Sequence, residues 1–199
     1  MPAPAVAPSL KNMPERTLNV TRPPWATPDL QTLVDLFYDD PANLGRFEEL
    51  RADDLPVDYR RLLAHSAHMT VTLEDFHHTN VDVHVLQKHV TATHYSRKIT
   101  LTRQTDQQTV LFGIVRLNFS FLGEEVRKEI QSEHIPLGRI LIAHGMLRTV
   151  KLLSLWKIEP AEELATLFHT SAGQPIYGRT ALIYCDGVPA IELLEIVRI

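Results

Sequence analysis

Between Val81 and Phe121 the chain carries three apolar, β-branched runs, near 80–92, 94–103 and 109–121, joined by connections of only a few residues. A parallel pair of strands needs a crossover of a dozen or more residues, so neighbours this close in sequence can pair only antiparallel. The density of β-branched residues in Val81-Asp82-Val83-His84-Val85 and in Ile99-Thr100-Leu101-Thr102, with the polar break Gln104–Gln108 before Val110, reads as a long meander. Leu147–Ile158 is a further strand. Runs at 175–185 and 189–198 flank Asp186-Gly187, a hairpin signal whose loop Val188-Pro189 is expected to lengthen. Helices are predicted over 28–38, 59–65, 69–76, Glu124–Ser132, Ile140–His144 and Pro160–Phe168. The pattern predicts one α+β domain over residues 27–199, a mostly antiparallel six-stranded sheet with helices packed on it. Six of the 13 prolines fall at positions 2, 4, 8, 14, 23 and 24, so residues 1–26 read as a flexible, proline-rich arm.

Composition removes several functional classes. A chain of 199 residues can bury about 70% of its unfolded surface in one core and needs no staple. The single Cys185 excludes an intramolecular disulfide framework and suits a reducing cytosol. With 20 Lys+Arg against 24 Asp+Glu and no basic block, the sequence does not predict a nucleic-acid groove. Neither a signal peptide nor a membrane span is legible, and a cytoplasmic protein is expected. Ten histidines raise the question of a metal. However, His84 and His94 share one strand face while His89 lies on the other, and no helical metal-site spacing occurs, so no metal is expected. Ser96 lacks a Gly-x-Ser-x-Gly context.

Two charges break an otherwise apolar pattern. Alternation places Arg97 in the inward row with Tyr95, Ile99 and Leu101, leaving Ser96, Lys98, Thr100 and Thr102 as a polar row. In the last strand Glu195 sits in the row of Ile191, Leu193, Val197 and Ile199, whereas Glu192 lies on the other face and is expected to be solvated. An inward arginine and an inward glutamate need each other or a ligand. The two readings are a buried Arg97–Glu195 ion pair and a pocket for a small anion that also carries a hydroxyl.

Arg97-Lys98-Ile99-Thr100-Leu101, then Ile135-Pro136-Leu137-Gly138-Arg139, Tyr177-Gly178-Arg179, and Asp186-Gly187-Val188-Pro189 followed by Glu195 occur in the order found in chorismate lyases, and Met69-Thr70-Val71-Thr72-Leu73-Glu74 resembles that family's Met-Thr segment. Over roughly residues 58–199 the sequence is thus similar to the chorismate pyruvate-lyase family. In that pattern the glutamate sits one residue closer to the turn proline, at the position of Leu194, which a bulge would reconcile with Glu195.

The resemblance implies a chorismate lyase-like fold around one internal site, no cofactor or metal, and cofactor-free elimination of pyruvate from chorismate to give 4-hydroxybenzoate in aromatic biosynthesis. It implies that Arg97 binds the ring carboxylate, that the backbone around Leu137 and Gly138 helps hold it, that Met69 lines the cavity and that Glu195 is the catalytic carboxylate. A second cation, Arg148 or Arg179, is expected for the pyruvyl carboxylate, and His144 is a weaker acid/base candidate. The same sheet also resembles the effector-binding domain of one class of bacterial transcription regulators. That alternative predicts binding of an aromatic carboxylate without reaction.

Overall fold

The computed structural model describes residues 30–146, 148–171 and 173–199. The arm predicted over 1–26, and the first residues of the helix predicted from 28, lie outside the described residues. Seven strands form one antiparallel sheet: β1 (Gly45–Leu50), β2 (Val81–Val90), β3 (His94–Arg103), β4 (Thr109–Asn118), β5 (Arg148–Pro160), β6 (Ile176–Cys185) and β7 (Val188–Val197), in the order β1-β5-β6-β7-β4-β3-β2. The expected α+β architecture is present with one strand more than predicted. The addition is β1, at the edge against β5, whose sequence GRFEEL lacks the alternation that would have announced it.

Among the described residues six α-helices pack on the sheet: α1 (Leu30–Val34), α2 (Val57–Leu63), α3 (Met69–His77), α4 (Glu124–Ser132), α5 (Leu137–Ala143) and α6 (Glu162–Leu167). No helix among the described residues is long and apolar enough to cross a membrane.

Both faces of the sheet are covered. The odd-numbered row of β3, β4, β6 and β7 faces α2–α5 and builds a core from Tyr95, Val115, Ile183, Leu193, Leu137 and Ile140 at one end and Leu63, Met69, Leu73, Ile99 and Leu111 at the other. The even row packs Phe112, Ile114, Leu194 and Ile196 against Leu33 and Val34 of α1 and Leu164 of α6. Two-sided cover buries the polar row of β3 as well, Ser96, Lys98, Thr100 and Thr102 all lying out of solvent. Lys98 reconciles charge with burial by pairing with Glu163 at 2.9 Å and lying over the Tyr38 ring. Glu192, expected in solvent, is half-buried and paired with Arg116 on the neighbouring strand.

The β6–β7 turn decides which residues meet across the centre. Asp186 and Gly187 both adopt positive φ, 50° and 81°, and join Cys185 directly to Val188, so the loop has two residues and Val188-Pro189 belongs to the strand. Positive φ at both central positions matches the right-handed twist of a hairpin and suits an Asp-Gly pair. Between Ile183 and Tyr184 the register shifts, because β7 has the extra residue Ala190. Carried unbroken from the turn, the register would set Arg179 opposite Leu194. The bulge moves it opposite Glu195 and keeps Glu195 on the helix-covered face.

Candidate functional site

Beneath the N-termini of α3 and α5 lies a cavity of about 40 Å3. Its floor is the odd face of the sheet (Ile99, Gly113, Val115, Leu193), Arg179 and Glu195 stand at its wall, and Met69, Thr70, Leu137 and Gly138 roof it. The two helix starts meet closely, because a methyl added at Gly138 would lie 3.1 Å from Thr70 Oγ1 and 3.5 Å from His68 Cβ. Arg139 of α5 also pairs with Glu74 of α3, which in turn accepts from the Val81 amide at 3.1 Å. A volume of this size holds a few water molecules.

The residues expected to form a site separate into those that line the cavity and those that do not. Met69, Leu137, Gly138, Arg179 and Glu195 all line the cavity. Arg97 is fully buried on the same sheet face, directly opposite Val115 and two residues from Ile99, both of which are lining residues. Arg148 opens β5 opposite Cys185, and its side chain lies outside the described part of the structure. His144 ends α5 at the surface, 2.5 Å from Glu129, and is not among the residues that line the cavity.

The Arg97–Glu195 pair, one of the two readings of these inward charges, does not form. Glu195 instead accepts from Nε of Arg179 at 2.7 Å, across the register that the Ala190 bulge sets. Arg179 is fully buried, and each of its three guanidinium nitrogens has an acceptor. It donates from Nη1 to the carbonyls of His65 at 2.9 Å and Leu63 at 3.4 Å, and from Nη2 to the Ala67 carbonyl at 3.3 Å. It therefore pins the segment between α2 and α3 onto the sheet, where sequence reasoning had placed a ligand-facing cation. Contact between Arg179 and residues more than a hundred positions earlier leaves no local trace in the sequence.

Arg97 is the opposite case. None of its three guanidinium nitrogens has a hydrogen-bond acceptor among the described residues. Burial pushes its pKa below the usual arginine value, an effect opposed by the Tyr95 hydroxyl and by the charge of Glu133. Tyr95 itself donates to Glu133 at 3.0 Å, and burial first, with that bond assisting, pushes its hydroxyl up to about 12. Glu133 is shared further with Lys88 at 2.6 Å. Because a guanidinium does not discharge in a protein, Arg97 is a buried cation whose donors await an acceptor. Leaving such a group unpaired carries a desolvation penalty that a bound carboxylate removes.

No family model matches the sequence, and no curated protein matches it. Among solved structures the chain is similar to PhnF from Mycobacterium smegmatis, at 14% identity and a TM-score of 0.47, covering 66% of this chain and 64% of that one. It is also similar to the effector domain of PhnF from the same organism, at 13% identity and a TM-score of 0.48, covering 66% of this chain and 88% of that one. A third is the ligand-binding domain of a GntR-family transcriptional regulator from Bordetella bronchiseptica, at 12% identity and a TM-score of 0.44, covering 59% and 85%. The chain thus spans less than two thirds of the longer PhnF structure. The expectation of a chorismate-cleaving carbon–oxygen lyase with its place in aromatic biosynthesis is corrected here, the neighbours being described as effector and ligand-binding domains of regulators. The geometry supplies a physical reason, since Glu195, expected as the catalytic acid, is engaged as the counter-charge of Arg179. What stands of the resemblance is an architecture, an antiparallel sheet with helices enclosing one internal site.

Proposed function

We propose that this domain binds a small aromatic carboxylate in the cavity under α3 and α5 and does not transform it. The observation that carries the reading is Arg97, a fully buried guanidinium with no acceptor among the described residues, beside a cavity floored by apolar side chains. A planar fork of donors matches a carboxylate bidentately, and Ile99, Val115 and Leu193 suit the flat apolar body of a ring. The effector and ligand-binding domains among the structural neighbours are consistent with a binding role.

Benzoate and 4-hydroxybenzoate are the direct probes. Calorimetry is expected to give saturable binding, and the melting temperature should rise with ligand concentration as mass action requires. Benzyl alcohol, which keeps the ring and loses the charge, should bind about 10- to 150-fold more weakly, the equivalent of the 1.5–3 kcal/mol of a charge-assisted contact. Chorismate incubated with the protein should be recovered intact by chromatography. Equal affinity for benzoate and benzyl alcohol would place the anion site elsewhere, and release of pyruvate would restore an enzymatic role.

A further inference from the structure

We propose that His65 makes ligand binding pH-dependent, its protonation detaching the segment between α2 and α3 from Arg179 and thereby loosening the roof of the cavity. The inference rests on the ligand-binding reading above and adds a regulator to it.

Hydrogen bonding fixes the protonation state of the ring. His65 Nε2 lies 2.7 Å from the Leu62 carbonyl, which can only accept, so Nε2 carries the proton. Nδ1 must then be the acceptor, and it receives the Ala67 amide at 3.0 Å and faces Arg179 Nη1 at 3.3 Å. The Ala67 amide occupies the one lone pair of Nδ1 with the Arg179 guanidinium close beside it, which leaves no place for a second proton. Adding one turns both contacts into donor–donor clashes and sets an imidazolium against a buried guanidinium.

The charged groups acting on the ring are Arg179 from β6 and Glu195 from β7, while α2 and the connecting segment contribute the Leu62 carbonyl and the Ala67 amide. Burial lowers the pKa of His65 and Arg179 lowers it further, against smaller opposing effects of the backbone contacts and Glu195. The segment so held leads directly into His68, Met69 and Thr70, which line the cavity. Arg179 also donates to His65 and Ala67 through their carbonyls, so expelling the ring disturbs those bonds as well.

The sign follows from linkage. With the segment in place the pKa of His65 is depressed below its ordinary 6.5. The closed form therefore keeps its full advantage above about pH 6.5 and loses it as pH falls toward the depressed value, by at most about tenfold in affinity per pH unit for one proton. A ligand that needs the closed roof inherits this dependence.

The test has two arms. In the first, affinity for 4-hydroxybenzoate is measured by calorimetry between about pH 5.5 and 8, a window in which a carboxylate stays ionised. The wild-type protein should lose affinity below about pH 6.5, whereas His65→Asn should bind with a flat profile. Asparagine keeps an acceptor for the Ala67 amide two residues on, as in an Asx turn, and does not titrate. The second arm needs no ligand: NMR of the wild-type protein should show the His65 ring titrating below 6.5, with hydrogen-exchange protection of the Ala67 amide lost over the same range. Titration of His65 at its ordinary value with Ala67 protection unchanged, or an identical pH slope in wild type and His65→Asn, overturns the proposal. Absence of binding at every pH would instead overturn the ligand-binding reading, and the ligand-free arm would still decide the switch.

Discussion

Arg179→Ala is expected to destabilise the domain by about 3–5 kcal/mol, the range for removing one partner of a buried ion pair. The substitution leaves Glu195, itself 9% exposed, without its counter-charge, and strips donors from the carbonyls of Leu63, His65 and Ala67. Uncompensated charge should dominate over lost packing. Arg179→Met, which restores most of the volume, should therefore recover little, whereas adding Glu195→Gln to it should recover more by removing the charge. Urea unfolding measures this as a shift of midpoint at constant m-value. A loss below about 1 kcal/mol would mean that the pair is solvated in solution and behaves like a surface bridge.

Arg97→Met should act in the opposite direction on stability. Here the buried cation has no acceptor in hydrogen-bond geometry among the described residues and only the Tyr95 hydroxyl and the charge of Glu133 acting on it, so an apolar side chain of similar length removes a desolvation penalty larger than the contact it gives up. A gain of up to about 1–4 kcal/mol is expected, by analogy with apolar replacement of buried charge. Binding of benzoate and 4-hydroxybenzoate should at the same time weaken by at least about 10- to 150-fold, the loss of one charge-assisted contact. Arg97→Lys should restore part of that affinity, since a point charge cannot reproduce the planar fork. Stability measured in denaturant and affinity measured by calorimetry should thus move apart. A destabilised Arg97→Met protein would show that Arg97 has a partner in the folded state, and unchanged affinity would remove it from the site.

The contrast between these arginines explains how far the sequence could be read. Alternation alone placed Arg97 and Glu195 inside, because a strand offers two faces and the neighbouring odd positions are apolar. Glu124–Ser132 was legible as a helix for a similar reason, its acidic first turn and its buried Val126 and Ile130 following helical spacing. Pairing was harder. Which residue faces Glu195 depends on one extra residue at Ala190; the one-residue offset of Glu195 from the family pattern allowed a bulge, but the composition of Val188-Pro189-Ala190-Ile191 does not place it before the register is known. Likewise, the even row of β3 is polar in sequence yet buried, because α1 and α6 return from distant parts of the chain to cover that side of the sheet. The lyase expectation drew on motif order, which tracks architecture. The charge partner of Glu195, on which a catalytic role would depend, is set by tertiary register.

The tight seam between α3 and α5 has a consequence for time as well as space. With a methyl-sized gap absent between Gly138 and Thr70, and the Glu74–Arg139 pair spanning the same helices, a ring cannot pass between these two helix starts while they stay in contact. Association through this seam must then wait for spontaneous opening, and if it is the route of entry the observed association rate should stop rising with ligand concentration once it reaches that opening rate. The same closure would hold the ligand after capture, so residence time would depend on the seam more than on the strength of the contact to Arg97.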